Sequence, residues 1–187
     1  MNGVSSDRGR IVVISALSIL SGLVSGVVVA VGIKSNSDLL GYMVFYLPGV
    51  SFALLTLFPL LRGMTLQMLR GLLILSISIA THYVAVRMSV AVVEKPLFLP
   101  LIVSVGAIAA ALVSLCSAFL LKIKVRALPS VLAVLLGGVS GLSIGAPFSS
   151  QASYIHAAEN VLIVFGYLIW QCGVAVSLVH EKTKTGT

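Results

Sequence analysis

Residues 97–121 read LFLPLIVSVGAIAAALVSLCSAFLL, twenty-five residues without one charged side chain. A bilayer's hydrocarbon core is about 30 Å thick and is crossed by roughly 20 apolar residues of helix. The rest of the chain agrees with this stretch. Of 187 residues 59% are hydrophobic and 9% charged, and the mean hydropathy is +1.16. Soluble domains carry roughly 25% charged residues, because a folded surface needs polar cover. Soluble enzymes, disordered chains and disulfide scaffolds are therefore excluded.

Five further runs lie on either side of it: Ile11–Ile33, Leu39–Leu61, Leu69–Val93, Pro129–Phe148 and Ala158–Val179. The runs are continuous rather than alternating, which selects helices over a β-barrel. The expected fold is all-α: a polytopic integral membrane protein, a compact bundle of six transmembrane helices. It forms one domain, residues 11–179, between tails 1–10 and 180–187. Arg8 and Arg10 give the first run a basic start, but the run exceeds the 7–15 apolar residues of a signal peptide. It is kept as a true first helix. Short loops make consecutive helices antiparallel neighbours.

With six spans, both termini share one side. That side holds Arg8, Arg10, Arg62, Arg70, Lys122, Lys124, Arg126, Lys182 and Lys184, with Asp7 and Glu181. The other side balances Lys34, Arg87 and Lys95 against Asp38, Glu94 and Glu159. The whole net charge of +7 thus falls on the terminal side. The positive-inside rule makes that side cytoplasmic, in the manner of a bacterial cytoplasmic (inner) membrane. A basic face of this kind is expected to attract anionic lipids of the bilayer. Because topology explains the basic excess, no nucleic-acid partner is expected. Cys116 and Cys172 lie inside apolar runs, with no CxxC or metal-ligand spacing. Neither a cofactor nor a metal is expected.

Small residues recur every four positions in three spans. The ladders are Ser18, Gly22, Gly26 and Ala30; Gly106, Ala110, Ser114 and Ala118; and Gly137, Gly141 and Gly145. In lipid, helices associate where small residues let backbones approach. The ladders either pack the bundle or dock a membrane protein partner, or a second copy. The first-span ladder is the candidate docking face, since an end helix is often peripheral. In the second span, Pro48 removes the hydrogen bond to the Val44 carbonyl, and a kink is expected there.

Ionisable and polar groups at membrane depth mark candidate function. His82 lies near the middle of the third span, and Ser78, Ala85 and Ser89 share its helical face. Two readings fit it: an interhelical hydrogen bond from a neutral histidine, or a proton-linked or ligand-binding role. Arg87 opposes the charge trend, with Tyr83 one turn before it. It snorkels outward, pairs with Glu159, or meets an anionic substrate. Asn160, Tyr167 and Gln171 form a stripe on the sixth span, extended by His156. The two stripes outline a polar path between helices three and six, from the outer surface to mid-membrane. Tyr42 and Tyr46 either line its mouth or sit in the interfacial belt. Trp170 reads as a packing residue.

Gly138-Val-Ser-Gly141 resembles the GxSG element of rhomboid intramembrane proteases, which also have a six-helix core. That resemblance implies a catalytic Ser140 met by a histidine from the last core helix. Here His156 precedes the sixth span and His180 ends it, while His82 has the right depth on the wrong helix. There is also no HExxH, aspartate pair or glycine-rich phosphate loop. No catalytic residue is assigned, and the chain is not expected to be an enzyme. In outline it resembles the substrate-capture subunits of energy-coupling-factor transporters. Those are six-helix proteins of this size with both ends inside. The resemblance implies a first-helix ladder, here Ser18, Gly22, Gly26 and Ala30, that docks a coupling subunit. The first outer loop, Lys34–Asp38, is shorter than their usual lid. The expected function is transport or capture of a small molecule. The alternative is a non-catalytic subunit or assembly protein, and a remote third is an intramembrane enzyme.

Overall fold

Each apolar run becomes a helix, because a backbone in lipid must satisfy its own hydrogen bonds. The computed structural model describes residues 3–35, 37–61, 64, 66–92, 95, 97–145 and 159–185. Its helices are α1 (Gly3–Lys34), α2 (Asp38–Ser51), α3 (Gln67–Val92), α4 (Phe98–Leu120), α5 (Ala127–Gly145) and α6 (Glu159–Thr185). A π-helical segment, Phe52–Leu57, and a 3-10 turn, Phe58–Leu61, continue α2. All six helices, the second with its continuation, are long and apolar enough to span a membrane. The chain is thus an all-helical, multi-pass bundle with no strand among the described residues.

Two boundaries differ from the expectation. The segments expected as tails are largely helical, from Gly3 at one end to Thr185 at the other. Neither segment contains proline, so nothing there stops the backbone ladder. After Pro48, the regular α-helix gives way at Ser51 to the π segment. Residues 146–158, between the fifth and sixth helices and including His156, lie outside the described residues.

The helices pack in chain order around a ring, and α6 closes the ring against α1. Small residues set these contacts. A Cβ placed on Gly22 would lie 2.9 Å from the Leu168 Cα, and one on Gly26 would lie 2.5 Å from the Val164 Cα. Gly106 faces Gly137 and Gly141 across the α4–α5 contact. The ladders are spent within the bundle. Of the first-helix ladder, Gly22 and Gly26 pack against α6 of the same chain, and Ser18 and Ala30 are buried.

The basic half of the bundle is packed with apolar side chains around a small cavity of about 20 Å³ beside Lys124, Arg126 and Leu178. Phe52, Leu57, Leu60, Leu61, Ile74, Val174 and Leu178 are all buried there. The end of α4 is closed on the same face. The Ile123 N–H donates to the Ala118 carbonyl at 2.8 Å, and the Lys122 N–H donates to Phe119 at 3.1 Å. Between them Lys122 takes φ of 54°, so a lysine occupies the left-handed position usually given to glycine. Arg70 Nη1 reaches over from α3 to donate to the Leu120 carbonyl at 3.1 Å.

Candidate functional site

The site begins with a missing donor. Pro48 has no N–H for the Val44 carbonyl four residues earlier. His82 Nε2 on α3 lies 3.1 Å from that oxygen. A carbonyl only accepts, so Nε2 carries the hydrogen and donates it. The Tyr167 hydroxyl on α6 lies 3.4 Å from the same nitrogen and can only accept from it. Its own proton therefore points elsewhere. Trp170 lies beside both, 6.0 Å from the His82 ring and 6.2 Å from Tyr167, and stacks on Phe52 at 5.8 Å. The α2–α3 contact is tightened by Ser78, whose Oγ donates to the Gly49 carbonyl at 2.9 Å.

One turn deeper lies a knot of hydroxyls and one amide. Gln171 Nε2 donates to Ser25 Oγ at 2.8 Å. Ser25 Oγ donates to the Ser21 carbonyl at 2.7 Å and lies 2.8 Å from Ser51 Oγ, which donates to the Pro48 carbonyl at 3.1 Å. Helices α1, α2 and α6 are thereby joined at mid-membrane, and every one of these side chains is buried. The knot and the apolar core behind it close the path toward the basic face.

Toward the opposite face the bundle is open inside. A chamber of about 420 Å³ extends from Ile33 and Gly41, near the helix ends, down to Tyr167. Apart from Ser89 its wall is otherwise apolar, including Phe45, Val90 and Phe98. A smaller chamber of about 60 Å³ continues from it, bordered by His82, Ser140 and Trp170. Both share Ser89, Ile102, Ile144 and Tyr167, and among the described residues no charged side chain lines either.

Of the seven residues expected to form the polar path, His82, Tyr167 and Gln171 are buried inside the bundle. The others are not brought to it. Tyr83 is exposed and stacks on Tyr46 at 5.8 Å, because it lies about 100° around the helix from His82. Arg87, on the same outer face, is exposed and has no ion pair among the described residues. The Arg87–Glu159 pair is replaced by another: Lys34 Nζ lies 3.6 Å from Glu159 Oε2 and ties the outer ends of α1 and α6. Asn160 is exposed, on the first turn of α6. Tyr42 and Tyr46 are exposed, and Phe45 lines the chamber wall.

Several residues escaped the sequence reading. Ser21 and Ser25 flank the glycine ladder at spacings of three and four, a pattern that marks a second face of α1. Ser140 was considered only as a nucleophile, and Trp170 only as packing. Pro48 did announce a free carbonyl at Val44, but its partner His82 lay thirty-eight residues away in sequence. Cys116 and Cys172 are free thiols. Comparison with family models, with curated proteins and with solved structures finds no match to this chain.

Proposed function

We propose that this multi-pass membrane protein captures a small, largely apolar molecule in the outer half of its bundle, without catalysing a reaction. One observation carries the reading: the 420 Å³ chamber ends on a polar floor and is sealed from the basic face. That volume falls within the roughly 300–1,000 Å³ of small-molecule sites, which are mostly apolar with a few placed polar groups. Sealing on one side favours capture, or one state of a transporter, over an open channel. The nine basic residues on the terminal side support an orientation with both ends cytoplasmic, as in a bacterial inner membrane, with anionic lipid against that face. A subunit or assembly role has less support, since the α1 ladder is covered by α6.

The test uses Gly41, which lines the chamber and whose added Cβ meets nothing within 4 Å. Gly41→Leu adds bulk at the end of the chamber, where the new Cβ meets no described atom within 4 Å. Native mass spectrometry of the gently solubilised protein should show a reproducible small mass that Gly41→Leu loses at unchanged thermal stability. Retention of that mass in Gly41→Leu, or no bound mass in the parent chain, would sink the reading.

A further inference from the structure

The polar floor of the chamber has a definite hydrogen-bonding sense, and that sense selects a ligand class. Resting on the capture reading, we infer that the ligand is a neutral molecule with an apolar body and a hydrogen-bond-accepting head of the carbonyl class, such as a ketone, ester or quinone. The head lies in the inner chamber among Ser140, Tyr167 and Trp170.

Three groups point to this. The Trp170 Nε1–H is buried and has no acceptor among the described residues. An indole nitrogen donates and never accepts, so only an acceptor satisfies it. The Tyr167 hydroxyl is the second donor, because the His82 N–H is committed to Val44 and leaves the phenolic proton free. Ser140 is the third. Ser18, Ser25, Ser89, Ser104, Ser130 and Ser143 each donate to the carbonyl four residues back. Ser140 is 3% exposed, sits mid-helix like them, and makes no such bond. Ser140 on α5 and Tyr167 and Trp170 on α6 all border the same small chamber.

The walls give the rest. An ionised head would meet no opposite charge among the described residues that line the chambers, at a cost of several kcal/mol. The body must be apolar, because the outer chamber offers it Val90, Phe98, Ile102 and similar side chains. A purely hydrocarbon ligand would leave the Trp170 and Tyr167 donors desolvated and unpaired.

Trp170 is the chain's single tryptophan, so its fluorescence reports from the site itself. The purified full chain in detergent is titrated with 2-undecanone, undecane and undecanoate. The expected result is a saturable change with 2-undecanone, with half-saturation about 5- to 10-fold lower than for undecane and no response to undecanoate. Ser140→Ala and Tyr167→Phe should each raise the ketone's half-saturation toward the undecane value, leaving undecane unaffected. Equal binding of ketone and hydrocarbon, or ketone binding indifferent to both substitutions, would overturn the head assignment while leaving capture intact. Preference for undecanoate would do the same. If none of the probes gives a saturable response, the chamber is not a binding site and the capture reading falls as well.

Discussion

His82 Nε2 stands 3.1 Å from the Val44 oxygen, supplying from α3 the donor that Pro48 withholds within α2. The histidine and the proline form one unit. His82→Ala leaves a buried carbonyl unpaired and should cost about 1–3 kcal/mol. Pro48→Ala restores an N–H at position 48 and makes the histidine redundant. In that background the cost of His82→Ala should fall by about 1 kcal/mol, the value of one such bond. Thermal unfolding of the four proteins in detergent measures the coupling. Strict additivity would show that His82 does not serve the broken helix.

The α1–α6 contact leaves no room at Gly22 or Gly26. Gly26→Leu should prevent the ring from closing, with loss of monodisperse protein on size-exclusion chromatography. Gly22→Ala should lower stability by about 1–3 kcal/mol through overpacking. A well-folded Gly26→Leu protein would mean that α1 does not lie on α6.

Gln171 is buried, yet its Oε1 has no hydrogen-bond partner among the described residues. Gln171→Leu gives up the donation to Ser25 but also removes that unpaired acceptor. Ser25 keeps the Ser21 carbonyl and Ser51. The two effects oppose each other, so the net change should be under about 1 kcal/mol. A loss above about 2 kcal/mol would make the amide the keystone of the knot, contrary to this accounting.

Lys34 and Glu159 pair at 3.6 Å with the lysine side chain half exposed. Exposed pairs of this kind contribute about 0–1 kcal/mol. Glu159→Gln should therefore shift stability by less than 1 kcal/mol. Its effect should be independent of Arg87→Gln, which lies on the outer face of α3. A coupling between positions 87 and 159 in the double variant would restore the pairing that the charge pattern suggested.

Lys122 holds φ of 54° at the end of α4. A side chain in the left-handed region costs roughly 1–2 kcal/mol, partly offset by the stiffer unfolded chain that it gives. Lys122→Gly should stabilise by about 0.5–1 kcal/mol in thermal unfolding. A destabilised variant would assign the lysine side chain a contact worth more than the strain.

The bundle was legible because lipid imposes simple rules: continuous apolar runs, charge at their ends, glycine where backbones meet. The inward stripe of His82 and Ser78 was legible from periodicity alone. What periodicity does not contain is rotation of one helix against another. Tyr83 and Arg87 share a face with each other, and that face turned out to be the outer one. Glu159 had two cations near its depth, and sequence distance gave no reason to prefer Lys34. Ser140 and Trp170 gained meaning only when α5 and α6 brought them beside Tyr167.

The ring closed by α1 on α6 has a consequence for how the protein is made. The first helix of the six to emerge has its principal partner in the sixth. At 5–20 residues per second, α1 waits on the order of ten seconds for that partner. Throughout, the Gly22 and Gly26 face lies uncovered, and Ser25 lacks the Gln171 amide that α6 brings to it. A chain stalled after its fifth helix would keep that bare face on display, marking an unfinished protein for the machinery that clears orphaned membrane helices.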